Sequence, residues 1–193
     1  ALIVQRPLGT ADVTPADMHK WYTVEQVSRN TARTFGFREI RFPTFENTDL
    51  FLRSVGETTD VVQKEMYTFE DKGKRSVTPK PEGTAGAVRC FLEHNLYAEP
   101  LPCKMYYLNS PIFRYENPQS GRLREHHQFG MECFGAKEAT VDAELILLAY
   151  HLLQDLGIGN LSVEINSIGC PKCRPVYHTR LKEFLSDRMD KHL

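Results

Sequence analysis

The sequence predicts an α+β fold in which an antiparallel β-sheet is flanked by helices. Three observations carry that prediction. Ile112–Glu132 reads as two alternating segments around a loop of turn formers. Phe113 and Tyr115 point one way and Arg114 and Glu116 the other. Phe129, Met131 and Cys133 share one face, and Gln128, Gly130 and Glu132 the opposite one. A second pair of strand-like segments surrounds the turn Asp71-Lys72-Gly73-Lys74. Helical stripes separate these hairpins, the order expected of an antiparallel sheet rather than a doubly wound one.

The elements follow in order. Thr14-Pro15-Ala16-Asp17 is a helix start: Thr14 caps, Pro15 fits the first turn, and Asp17 suits the positive helix end. Met18, Trp21, Val24, Val27 and Phe35 form the stripe, and Gly36 stops the helix. A strand over Arg38–Phe42 ends at Pro43. A short helix covers Asp49–Ser54, closed by Gly56. Val61–Phe69 is a strand that returns antiparallel as Arg75–Lys80, with Pro79 weakening its end. Ala85–His94 is a helix with Val88, Phe91 and Leu92 inward. Lys104–Leu108 leads as a strand into the hairpin, where Asn117-Pro118 and Ser120-Gly121 punctuate a long basic tip. Thr140 caps a helix with Leu145, Leu148, Leu152 and Leu156 on its buried side and Gly157 at its end. Leu161–Ile165 is a strand. Arg174–His192 is a helix with Tyr177, Leu181, Phe184, Leu185 and Met189 as its stripe.

The chain of 193 residues has a formal net charge of −1, so it carries no global basic footprint for nucleic acid, and any such contact is local. No apolar run approaches the length of a membrane span, and no signal-peptide pattern opens the chain. Five cysteines are an odd number, which argues against a disulfide framework and for a reducing cytoplasm.

The polar face of the 112–132 hairpin is unusual. A solvated face usually carries Lys, Thr and Ser; this one carries Arg, Glu, Gln, Gly and Glu. It reads either as solvated surface or as the lining of a cleft for a small charged ligand. Pro81-Glu82-Gly83-Thr84 breaks the pattern before a helix. Glu82 either favours the positive helix end or, with Thr84, accepts hydrogen bonds from a ligand amine that Gly83 lets approach. His126 and His127 invite an acid–base role, but a packed strand histidine is the plainer reading, and neither is taken as catalytic.

Several stretches together resemble the catalytic domain of class II aminoacyl-tRNA synthetases, and among them the histidyl-tRNA synthetases. They are G-F-R-E-I-R-F-P-T-F-E (36–46), V-G-E-T-T-D-V-V-Q-K-E-M-Y-T-F (55–69), P-E-G-T-A (81–85), F-R-Y-E-N-P-Q-S-G-R-L-R-E-H-H-Q-F-G-M-E (113–132) and I-N-S-I-G-C-P-K-C-R (165–174). The first resembles motif 1, a dimer-interface element ending in a proline, here Pro43. The fourth resembles motif 2, the strand–loop–strand that binds ATP. The resemblance implies a class II-like core over residues 1–165, present only in part, and the start of an inserted helical segment over 166–193.

It also implies a ligase that joins histidine to the α-phosphate of ATP, with Mg2+ accompanying the nucleotide, and transfers it to the acceptor end of tRNA(His). Arg114 matches the motif 2 arginine that bridges the histidine carboxylate and the α-phosphate, the one catalytic assignment. Glu116 would meet the adenine amino group. Arg122 would approach the phosphates or the tRNA end, with Arg124 the weaker candidate. Glu82, Gly83, Thr84 and Gln128 match positions around the substrate α-amino group. Glu132 faces the imidazole, where a carboxylate accepts a ring N–H and favours one tautomer. Gly130 leaves room for the substrate. A cytoplasmic homodimer, paired through Gly36–Glu46 and without a membrane partner, completes the expectation.

Two departures stand out. Pro79-Lys80 replaces the family's Leu-Arg, which keeps the charge but loses the planar fork and a backbone donor. Motif 3, a later histidine-binding segment and the anticodon-binding domain lie beyond Leu193, so the chain reads as an N-terminal piece with little activation activity of its own. Cys170-Pro171-Lys172-Cys173 is half a tetrahedral zinc site; with one pair, two bare thiols are favoured over bound zinc, and a redox role ranks below both. The competing readings are a catalytically silent paralogue, such as the regulatory subunit of ATP phosphoribosyltransferase, and a pseudo-synthetase domain that binds uncharged tRNA. The joint presence of Arg114, Glu116, Arg122, Gln128 and Glu132 favours the ligase.

Overall fold

A computed structural model of the chain describes residues 4–55, 65–115, 117–166, 170 and 172–189. Two compact units, Ala1–Gly159 and Asn160–Leu193, are described separately. In the first, the order is α1 (Met18–Thr34), β1 (Arg38–Glu39), β2 (Phe45–Asn47), α2 (Thr48–Val55), β3 (Phe69–Glu70), β4 (Ser76–Pro79), α3 (Thr84–Glu93), β5 (Cys103–Phe113), β6 (Glu125–Phe134) and α4 (Ala139–Asp155). The α+β class is as expected, but the strands form two sheets rather than one. A three-stranded sheet has the order β1-β5-β6, with β1 parallel to β5 and β5 antiparallel to β6. A second, wholly antiparallel sheet has the order β2-β4-β3.

The long β5–β6 ladder is the frame of the unit. Register puts Tyr106 opposite Met131, and Cys103 opposite Phe134. On one face, Tyr106, Ala32, Phe37 and Leu148 form a buried cluster with Phe129, Met131 and Leu145 packed around it, so α1 and α4 cover that side. On the other, Phe91 from α3 packs with Cys103, Met105 and Phe134, and the Phe91 and Phe134 rings stack at 4.3 Å. A sheet covered on both sides explains why so many ladder positions are apolar.

Several expected details differ. Helix α1 begins at Met18, capped by Asp17 without a side-chain bond, because Thr14 to Asp17 first form a turn of their own with Asp17 N–H on Thr14 O (2.9 Å). Its buried residues are Ser28, Thr31 and Ala32, and Val24 is exposed: small side chains line the contact with α4, where bulky ones would hold the helices apart. Gly36 stops the helix as expected, at φ +79°, and Phe37 N–H returns to Ala32 O (2.9 Å).

In α3 the buried residues are Ala85, Gly86, Ala87 and Phe91, while Val88 and Leu92 face outward. Gly86 is tight against the Phe42 ring, so the helix sits too close for branched side chains on that side. Glu138, not Thr140, precedes α4; its Leu145, Leu148, Leu152 and Leu156 stripe faces inward as expected. The first hairpin strand covers only Phe69–Glu70, with residues 61–64 and Gly56 outside the described residues. In the second unit, Leu161–Ile165 forms no strand, and α5 (Cys173–Met189) leaves Tyr177, Leu181, Phe184 and Leu185 exposed instead of packed. No helix among the described residues is long and apolar enough to cross a membrane.

Leu148 is completely buried where α1, α4 and the sheet meet. Leu148→Ala is expected to cost about 2–5 kcal/mol, read as a lowered urea midpoint with little change in slope.

Candidate active site

The site is built on the connection from β4 to α3. Lys80 N–H donates to Thr44 O (3.0 Å), and Lys80 O accepts from Phe113 N–H (3.0 Å). This one residue therefore ties the end of the smaller sheet to the end of β5 in the larger one. Its side chain is 1% exposed, with Nζ donating to Pro43 O (3.1 Å) and lying 5.3 Å from the Phe42 ring centroid. Burial pulls the Lys80 ammonium below its ordinary pKa. Pro79 is accommodated within β4, opposite Phe45, and the departure at positions 79–80 leaves the turn well anchored.

The next residues gather the site. Pro81 O accepts from Arg114 Nε (2.7 Å), which fixes the guanidinium beside the turn. Both Glu82 oxygens accept backbone bonds, from Thr84 N–H (2.6 Å) and Ala85 N–H (2.8 Å). Glu82 thus satisfies two backbone donors at the start of α3, and its carboxylate is held at the mouth of the helix. The Thr84 side chain holds down the pKa of both Tyr107 and Glu132, and Glu82 acts electrostatically on both. Burial, and then the Glu82 charge, push the Glu132 carboxyl above its usual range, against the hydrogen bonds from Thr84 and Tyr107.

Arg114 reaches this face because β5 carries an extra residue. Tyr107 pairs with Gly130 but Ser110 pairs with Gln128, so three steps on β5 match two on β6. Without that bulge, Tyr107 and Arg114, seven positions apart in the sequence, would point to opposite faces of the sheet. With it, Tyr107, Ser110 and Ile112 line up with Gln128, Gly130 and Glu132 on one side, and Arg114 continues that line. Gln128 Oε1 is buried and has no hydrogen-bond partner among the described residues, an open acceptor on the same face.

The space beside Gly83 and Gly130 is used differently from the expectation. A Cβ at either position would collide with the Tyr107 ring, so the room these glycines leave is taken by a side chain of the protein. Tyr107 itself was missed from the sequence. The only signal was a pair of glycines facing a tyrosine across strands whose register the sequence does not give.

Other candidates fall elsewhere. Arg122 is exposed in the hairpin tip, where its backbone pairs with that of Gln119 (3.0 Å). Glu116 lies outside the described residues. Arg124 stacks over the Tyr115 ring at 4.2 Å, and its N–H bonds Gly9 O (2.8 Å). It thereby anchors the N-terminal segment, another link invisible in the sequence. His127 meets Trp21 edge-on at 4.9 Å but stays exposed at residue level, and partial burial holds its pKa below the ordinary value. The Cys170 and Cys173 sulfurs lie 3.3 Å apart, and no group of three or more metal-ligating side chains occurs among the described residues.

Gly130→Ala is expected to destabilise the fold by about 1–3 kcal/mol through its collision with Tyr107. The loss should shrink in the Gly130→Ala, Tyr107→Leu double variant, a coupling that urea titration of all four proteins would reveal.

The profile of the histidyl-tRNA synthetase family matches residues 9–172. The histidine–tRNA ligase of Thermoanaerobacter pseudethanolicus is 57% identical over 98% of this chain and 45% of its own length. That of Clostridium botulinum is 58% identical over 97% of the chain and 45% of the relative. The crystal structure of apo S. aureus histidyl-tRNA synthetase superimposes with a TM-score of 0.74 at 36% identity, over 99% of this chain and 44% of that one. A Bacillus halodurans structure described as an ATP phosphoribosyltransferase regulatory subunit/histidyl-tRNA synthetase gives a TM-score of 0.70 at 21% identity, a likeness of fold alone. The chain spans 45% of the length of the curated relatives it matches. By the extent of these matches and the fold it shares with them, the chain belongs to the histidyl-tRNA synthetase family.

Proposed function

We propose that this chain supplies part of the catalytic site of a histidine–tRNA ligase. The observation that carries the reading is the convergence of Arg114, Glu82, Thr84 and Glu132 on the Pro81–Thr84 turn. Three chemically different demands meet there. Activation brings a histidine carboxylate against the α-phosphate of an ATP–Mg2+ complex, and charge builds on the phosphoryl oxygens as pyrophosphate leaves. Arg114, fixed through Nε on a backbone carbonyl, keeps its terminal N–H groups for those oxygens and stabilises that charge without reorganising. Holding both reactants on one guanidinium also aligns them for attack.

The substrate's ammonium needs acceptors. Glu82 offers a carboxylate and Gln128 a buried oxygen with no partner among the described residues. Thr84 adds a hydroxyl, and Gly83 gives its space to the Tyr107 ring. The imidazole needs an acceptor for one ring N–H, and Glu132 is that group. A half-buried carboxylate disfavours amino acids without an N–H to give, because it would be left unpaired. The roles of Glu116 at adenine and Arg122 at the phosphates or the tRNA end stand as part of the same proposal. So do the cytoplasmic setting, transfer to tRNA(His), the class II core over 1–165 and the inserted segment from 166. The single thiol pair at Cys170 and Cys173 is proposed to stay metal-free.

Calorimetry with a non-hydrolysable histidyl-adenylate analogue tests the reading. Binding should weaken by at least about tenfold in both Arg114→Ala and Glu132→Ala, since each removes a charged hydrogen-bonding partner. Unaltered binding in both would remove these roles. Pairing through Gly36–Glu46 is expected to give a dimer by sedimentation velocity; a monomer at every concentration would remove that part.

A further inference from the structure

Tyr107 has no part in the chemistry above, yet its ring fills the gap that Gly83 and Gly130 leave. It is 3% exposed, wedged between Gly83 and Gly130, and met edge-on by Phe42 at 5.0 Å and 72°. These neighbours leave the ring one place to be. Its oxygen then stands 3.5 Å from Glu132 Oε1, at the long limit for such a bond. Bonds of this kind commonly shorten when a ligand arrives.

We propose that Tyr107 is a positioning residue whose hydroxyl donates to Oε1 of Glu132, keeping that carboxylate ionised and its other oxygen free for a ligand N–H. The histidine reading supplies the identity of the ligand; the Tyr107–Glu132 contact stands without it.

The surroundings give the hydroxyl its importance. Among the described residues, the groups that act on Glu132 are Thr84 and Glu82 from the start of α3 and Tyr107 from β5, and none is a cation. Burial and the Glu82 charge both favour the neutral acid. Only the two hydroxyls oppose them. A protonated Glu132 would direct an O–H at the ligand's N–H and lose the selectivity that an acceptor confers. Tyr107 is suited to prevent this. Burial, then the charge of Glu132, pushes its phenol up to about 12, so it remains a donor wherever the protein is folded. The glycines thus serve the carboxylate indirectly, by letting the ring reach it.

The sign of the pH effect follows. A carboxylate whose folded pKa is raised binds an N–H donor best above that pKa and loses affinity as pH falls through it. Removing the Tyr107 hydroxyl raises the pKa further and moves the loss to higher pH.

Tyr107→Phe keeps the ring in its slot and deletes the hydroxyl. In the chain labelled with δ-13C glutamate, with Glu132 assigned from Glu132→Gln, the Glu132 midpoint should move upward in Tyr107→Phe. It should move downward with 3-fluorotyrosine at 107, whose hydroxyl is more acidic, a variant that also serves if the phenylalanine protein does not fold. Histidine affinity by calorimetry should fall about tenfold at pH 6 and less at pH 8, each relative to the parent at the same pH. An unmoved midpoint in both variants overturns the proposal, even if affinity drops, since that drop would be packing. A moved midpoint in a parent that binds no histidine upholds Tyr107's hold on Glu132 and overturns the histidine reading instead.

Discussion

Everything in the site depends on one short connection being bonded on both sides. Lys80 links Thr44 in the edge of the smaller sheet to Phe113 at the end of β5. Pro81 then takes the Arg114 side chain, and Glu82 closes the end of α3. A turn held only by its own chain would leave the guanidinium and the carboxylates to find one another at an entropic cost of about 1–2 kcal/mol for each ordered residue. Here the two sheets have already met that cost. Burial of Lys80 is the conspicuous compromise: an ammonium is held with a backbone carbonyl and a ring face, and among the described residues Glu46 is the charge that favours its ionised form.

The second constraint is parity. A strand alternates its side chains, so charge on one face and packing on the other is stable only while the register holds. The extra residue in β5 breaks that alternation once. Upstream of it Tyr107 faces α3, and downstream of it Arg114 does too. The two halves of the strand thereby serve the same pocket although their numbering has opposite parity. The other face packs on α1 and α4 through Tyr106, Phe129, Met131 and Leu148, with Lys104 on the same side paired to Glu144 of α4. A functional face is thus built without weakening the core behind it.

Electrostatics and packing meet at Glu132. Its carboxyl is raised by burial and by Glu82, which would be a liability in a structural residue. In a recognition site the same feature is useful, because a buried acceptor is strong when paired and costly when not. Among the described residues Thr84 and Tyr107 hold its pKa down against burial and Glu82, and a ligand bearing N–H donors would favour its charged form further. The hairpin tip is stabilised separately, by the Arg124–Tyr115 stack and the Gly9 carbonyl, so a loop rich in arginine does not depend on ligand for its shape.

What could be read from the sequence was local and periodic. Alternation identified the 112–132 hairpin, glycines marked the ends of α1 and α4, and the spacing of Arg114, Gln128 and Glu132 placed them on strand faces. The family followed from the order of five stretches. What could not be read was whatever depends on which segments meet. Val88 and Leu92 have the right spacing for a buried stripe but face outward because Gly86 brings α3 onto Phe42. Leu161–Ile165 has strand composition and forms no strand. The bonds that Glu82 makes to the start of α3 could not be read either. Tyr107 carried no motif at all, for its importance comes from two glycines on different elements that leave a gap of its own shape. Side-chain chemistry and period are properties of the chain itself; bulge, register and the distance between faces exist only once the long-range contacts have formed, and here those decided which polar groups share a pocket.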